Sequence, residues 1–90
     1  MTGIELIAQE RREHVEKHSW TPEHDANDHH TDGELIDAAH YAITLKGWPE
    51  NWDRAFADKI AQKDYKGRLI VAGSFIAAEL DRIQALEEKE

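Results

Sequence analysis

Cysteine is absent from this 90-residue chain, so neither a disulfide nor a thiolate metal site is available to it. Proline is scarce, with two residues, and a third of the chain is charged, a composition that suits helices and not disorder. No apolar run approaches the roughly 20 residues that span a bilayer, and no signal-peptide pattern is seen. A soluble, cytoplasmic protein without a membrane partner is therefore expected. Bases are few: eleven against nineteen acids, a formal net charge of −8. That field repels polyanions and argues against a nucleic acid polymer as partner. A small anionic ligand remains open, because a few local bases or a helix N-terminus can hold one. No repeat, low-complexity segment or linker divides the sequence, so one helical domain over 1–90 is expected. A chain this short has a marginal core unless subunits share one.

What the sequence does contain is helical periodicity. Thr2-Gly3-Ile4-Glu5 has the form of a capping box, and a first helix is predicted from Gly3 to about His18. At about 100° per residue, Ile4, Ile7, Ala8, Arg11 and Val15 share a stripe. His14 and His18 lie at its edge, and Glu5, Glu13 and Glu16 lie opposite. Arg11 within an apolar stripe calls either for a carboxylate at the edge or for an anion. Thr31-Asp32-Gly33-Glu34 repeats the capping-box form, so a second helix is predicted from about Asp32 to Lys46. Its expected buried arc is Leu35, Ile36, Ala38, Ala39, Ala42 and Ile43, with Asp37, His40 and Thr44 on the wet side. Gly47 suits the left-handed residue beyond a helix end, and Pro49 prevents continuation.

A short helix is predicted over Pro49–Ala61, with Trp52, Ala55, Phe56 and Ile60 inward. Asp64 has the character of a cap for a long last helix to about Glu87. Leu69, Ala72, Gly73, Ile76, Leu80 and Ile83 form its main stripe, and from Leu69 to Ala78 only Ser74 is polar. A helix apolar on nearly all sides is buried on more than one of them. Glu79, beside that stripe, calls for an ion pair, with Arg11 as one candidate partner. The expected architecture is all-α: a small bundle of three long helices plus a short one, completed by homo-oligomerisation.

Between the first two helices lies a long polar connection, His18 to Glu34. It holds four of the six histidines and five carboxylates, together with Trp20. Connections of this kind more often carry function than structure. His14 and His18, four apart on one helix face, could begin a zinc site with His24, Asp25, Asp28, His29 or His30. The pattern lacks the His-Glu-x-x-His form, and no zinc is expected.

A second constellation is Glu10-x-x-Glu13 followed by Glu34-x-x-Asp37. It resembles the ExxE…ExxD signature of the all-α nucleoside triphosphate pyrophosphohydrolases, the MazG-like and dimeric dUTPase group. That resemblance implies Mg²⁺ held by Glu10, Glu13, Glu34 and Asp37, with the ions binding the triphosphate and activating water.

The broadest resemblance rests on other residues. Trp20-Thr21-Pro22-Glu23-His24-Asp25, His29, Gly33-Glu34-Leu35, Ala38-Ala39 and Tyr41-Ala42 follow one another with Gly47-Trp48-Pro49 beyond. The run Arg68-Leu69-Ile70-Val71-Ala72-Gly73-Ser74-Phe75-Ile76-Ala77-Ala78-Glu79-Leu80-Asp81-Arg82-Ile83 closes the series. Together they resemble a family of small phage and prophage proteins with a "GWTxEHDDxHxxGEL" run and a final "LVKAGALIxAEIxRL" helix. Ser19 and Ala26 depart from that pattern. The resemblance names no reaction. It implies a protein of the host cytoplasm that acts on a host enzyme or signal, and a non-catalytic sponge for a nucleotide immune signal is the reading we carry forward.

The parts suit that reading. Trp20, Tyr41, Trp48 and Trp52 offer stacking faces for a base. Arg11, His14, His18, His24 and Arg68 offer donors to phosphate. Gly33 and Glu34 stand where a helix N-terminus could meet an anion. Such a ligand site needs no cofactor, whereas the hydrolase alternative needs Mg²⁺. A third alternative is an inhibitor of a host protein by acidic mimicry, against which the interspersed bases argue.

Overall fold

The computed structural model describes residues 1–18 and 33–89, apart from the side chains of 17, 18 and 89. Among the described residues there are four helices and no strand: α1 (Gly3–His18), α2 (Glu34–Thr44), α3 (Arg54–Ala61) and α4 (Tyr65–Lys89). The all-α class is thus as expected. The predicted cap at Thr31 and the helix start at Asp32 fall outside the described residues.

Helices α1, α3 and α4 begin as their local chemistry dictates. The Thr2 backbone N–H donates to Glu5 Oε1 at 3.0 Å, and the Glu5 N–H donates to Thr2 Oγ1 at 3.2 Å. The reciprocal pair satisfies donors that a helix start leaves over. Hydrogen bonds to its carboxyl, from the Thr2 backbone first and from the Thr2 side chain second, hold Glu5 below its ordinary range. Asp53 caps α3 by accepting from the Ala55 N–H at 2.9 Å. Asp64 does the same for α4 through the Gly67 N–H at 2.8 Å. The short helix therefore starts at Arg54, not at Pro49, because Asp53 supplies the cap that Pro49 cannot.

Helix α2 ends earlier than its sequence suggests. The left-handed residue that closes it is Leu45, at φ 62°, while Gly47 takes a second left-handed conformation at φ 80°. The Leu45 N–H donates to Tyr41 O, and Thr44 Oγ1 accepts from the Lys46 N–H, so the end is held by Thr44 three residues before the glycine. A branched side chain in the left-handed region costs roughly 1–2 kcal/mol. Leu45→Gly is expected to raise stability by about 1 kcal/mol, seen as a melting temperature about 4 °C or more higher; an unchanged or lower value would count against this account of the helix end.

Helix α4 is the central element, and α1, α2 and α3 each pack on it. Its inward residues Val71, Ala72, Phe75 and Ala78 join Leu35, Ala38, Ala39 and Ala42 of α2 and Ala57 and Ile60 of α3 in the core. Trp48, in the connection between α2 and α3, closes it. Alanines make much of this core, which lets α2 and α4 approach closely. Gly73 serves the same end toward α1: a Cβ there would stand 2.5 Å from Ile7 Cδ1.

Several expected core positions lie outside. Ile36 and Ile43 are exposed on the flank of α2, and Ala55 is exposed on α3, where Ala57 turns inward instead. On α4, Leu69, Ile76, Leu80 and Ile83 are exposed, although Ala72 and Gly73 of the same expected stripe are covered. The reason is that α4 turns the side bearing Val71, Ala72, Ser74, Phe75 and Ala78, not its Leu/Ile side, toward its neighbours.

Candidate functional site

A cavity of about 540 Å³ opens between α1, α3 and α4. From α1 come Glu10, Glu13 and His14. Helix α3 supplies Phe56, Lys59 and Ile60, and the bend after it supplies Gln62 and Lys63. Val71 and Phe75 of α4 form the floor. A site of this size lies within the range of small-molecule pockets, and its mixture of apolar floor and few charged groups is typical of them.

Local structure places each charged group. Glu10 and His14 are four apart, so both point from one side of α1, and His14 Nε2 lies 3.9 Å from Glu10 Oε2. The other ring nitrogen, Nδ1, is 3.4 Å from Ser74 Oγ. Ser74 is fully buried and donates its hydroxyl proton to Val71 O at 2.8 Å. Its remaining capacity is to accept, which makes Nδ1 the donor and fixes the ring plane. The His14 ring then packs on Phe75, with centroids 5.4 Å apart. His14 is thus a positioned part of the wall, tied to the core through Ser74 on one side, with the Glu10 carboxylate beside it on the other.

Lys59 and Lys63 repeat the four-residue spacing on the opposite wall. Lys59 Nζ stands 5.9 Å from the Phe56 ring centre, within reach of a cation–π contact. The Lys63 stem runs past Gly67, where an added Cβ would come 3.2 Å from Lys63 Cβ. Neither lysine lies within 4.0 Å of a carboxylate among the described residues. Two ammonium groups that pair with no carboxylate among the described residues, beside the Phe56 ring and across the cavity from Glu10 and Glu13, can receive a ligand with an anionic end and a flat apolar body.

The residues singled out by sequence are dispersed. Among the described residues, His14 is the one member of the expected ligand set on this cavity. Arg11 is largely buried and its Nε lies 3.4 Å from Asp81 Oδ2, so the carboxylate it calls for is found on α4. Glu79 pairs with Arg82, one turn along its own helix, and not with Arg11. Glu34 is buried and accepts from Asn51 Nδ2 at 3.0 Å. Gly33 is the left-handed residue before α2, with no side-chain cap. Arg68 is half-buried in the first turn of α4. Tyr41, Trp48 and Trp52 form a row continued by Phe75, with successive ring centres 5.2, 5.5 and 5.9 Å apart. The first two are core residues with little face to offer. The His18 side chain, Trp20 and His24 lie outside the described residues.

The carboxylates of the hydrolase pattern divide. Glu10 and Glu13 line the cavity, although Glu13 lies opposite the apolar stripe of α1. It reaches the site because α3 stands off that flank of α1, leaving the cavity between them. Asp37 is exposed on α2, and the described parts of α1 and α2 do not pack on one another. Among the described residues no three histidines, aspartates or glutamates converge as a metal-binding group. Sequence reasoning missed Phe56, Lys59 and Lys63. Their signal was present as two lysines four apart in a chain poor in bases. In comparisons with family models, curated proteins and solved structures, nothing matches this chain.

Proposed function

We propose that the protein binds a nucleotide-like ligand in the cavity between α1, α3 and α4 and retains it without cleaving it. The observation that carries this reading is the pair Lys59 and Lys63, unpaired with any carboxylate among the described residues at the wall of a 540 Å³ cavity floored by Phe75. Phosphate would meet the two ammonium groups, and the base would lie against Phe56, the partly buried ring at the wall. Glu10 and Glu13 would accept from a base amino group or ribose hydroxyl. The resemblance to small phage and prophage proteins supports a biological role for such retention: a homo-oligomeric, cytoplasmic sponge for a nucleotide signal of host immunity.

A second reading is favoured by one observation, that Glu10 and Glu13 both face the cavity. With Mg²⁺ between them and a triphosphate, the same site would belong to a pyrophosphohydrolase of the all-α kind. Both readings are separated by one experiment. The protein is incubated with a panel of nucleoside triphosphates and cyclic nucleotides plus Mg²⁺, freed of unbound ligand, heated and its release analysed. Intact nucleotide is the expected result. Recovery of a monophosphate and pyrophosphate establishes the second reading in its place, and retention of no nucleotide overturns both.

A further inference from the structure

The exposed side of α4 has a regularity that the core does not use. Tyr65, Leu69, Ile76, Leu80 and Ile83 are all exposed, Leu80 at 58 % and Tyr65 at 67 %. At about 100° per residue they fall within some 40° of Leu69, while Val71, Ser74, Phe75 and Ala78 face the opposite way into the core. The steps from Tyr65 through Leu69, Ile76, Leu80 and Ile83 are four, seven, four and three, the seam spacing of helices that pair along their length, with Gly73 at the edge of the stripe taken up by Ile7 of α1. From Tyr65 to Ile83 this stripe runs for roughly 27 Å. An apolar stripe of that length is out of place on a free helix surface.

Charge selects its occupant. Near the start of the stripe stands Lys66, about 60° from its centre line, and just past its end stand Glu87 and Glu88. All three are exposed. A parallel copy would set Lys66 against Lys66 and Glu87 against Glu87. An antiparallel copy sets Lys66 beside Glu87 at both ends and also opposes the helix dipoles.

We infer that the chain forms a two-fold antiparallel homodimer through α4, with Ile76 facing its own copy at the axis and Leu69 facing Ile83. Such an interface is self-complementary, as a two-fold requires. The inference specifies the homo-oligomer of the proposed function. It does not involve the cavity, and nucleotide retention measured on the same preparations reports on that reading separately.

The absence of cysteine makes the test clean. Ile76→Cys, mildly oxidised, is expected to give a disulfide-linked dimer in high yield, whereas Arg12→Cys, exposed on α1, is expected to remain uncrosslinked. In sedimentation equilibrium, Lys66→Glu is expected to weaken the dimer about tenfold, since the two-fold doubles each change at the rim. Lys66→Glu with Glu87→Lys is expected to restore it. A chain that sediments as a monomer at about 100 μM, an oligomer in which Ile76→Cys does not crosslink, or a Lys66→Glu dimer that Glu87→Lys weakens further would each overturn the inference. Lys66 and Glu87 are exposed, so these variants keep the fold, and far-UV circular dichroism checks that they do.

Discussion

Trp48→Ala is expected to be the most damaging single truncation in the chain, at about 3–5 kcal/mol. For a domain whose whole stability is of order 5–15 kcal/mol, that is a large share. The loss should appear as a melting temperature lower by at least about 12 °C, or as a chain unfolded at room temperature. Trp48 is 8 % exposed although it sits in a connection, and its ring touches both Tyr41 and Trp52, the latter leading on to Phe75. It therefore ties the end of α2 to α4 across a stretch with no helix of its own. The indole N–H is buried and meets no acceptor among the described residues. Trp48→Phe should for that reason sacrifice area and no hydrogen bond, at about 1–2 kcal/mol. If phenylalanine proves as costly as alanine in thermal or urea unfolding, the N–H has a partner and the packing account is wrong.

The contrast between Trp48 and Lys59 shows what one sequence can disclose. Helix ends are written locally: Thr2 with Glu5, Asp64 ahead of Gly67, and the wet side of Asp37, His40 and Thr44 all follow from a few neighbouring residues. Which apolar face a helix buries is a different matter. On α4 the Leu/Ile stripe has the greater hydrophobicity, yet the side with Val71, Ala72, Ser74, Phe75 and Ala78 is turned inward, where its alanines let α2 approach closely. Periodicity registers the existence of two apolar faces and cannot rank them. The tryptophans carry a similar ambiguity, since a large ring beside a loop serves a core or a ligand equally well by composition. Glu13 shows the limit most plainly. On the wheel of α1 it points away from the stripe, and it reaches a cavity only through the placement of α3, a long-range fact absent from any window of sequence.

The charged walls of that cavity give the sharpest functional expectation. Lys59→Glu with Lys63→Glu should weaken nucleotide binding at least about 100-fold, because two charge-assisted contacts of roughly 1.5–3 kcal/mol each are lost and replaced by repulsion. Both positions are exposed and outside the core, so the melting temperature of the free protein should move by only a few degrees. Glu10→Gln with Glu13→Gln then distinguishes how the opposite wall works. If the carboxylates serve only as acceptors, neutral amides still reach the ligand with less repulsion toward its phosphate, and binding should hold or tighten with no dependence on Mg²⁺. If they hold Mg²⁺ against a triphosphate, the same change should abolish both the Mg²⁺ dependence and any release of pyrophosphate. Calorimetric titration of each variant, with Mg²⁺ and with a chelator, reads the difference directly. A charge-reversed variant that still binds nucleotide as tightly as the parent would remove Lys59 and Lys63 from the site, and the cavity with them.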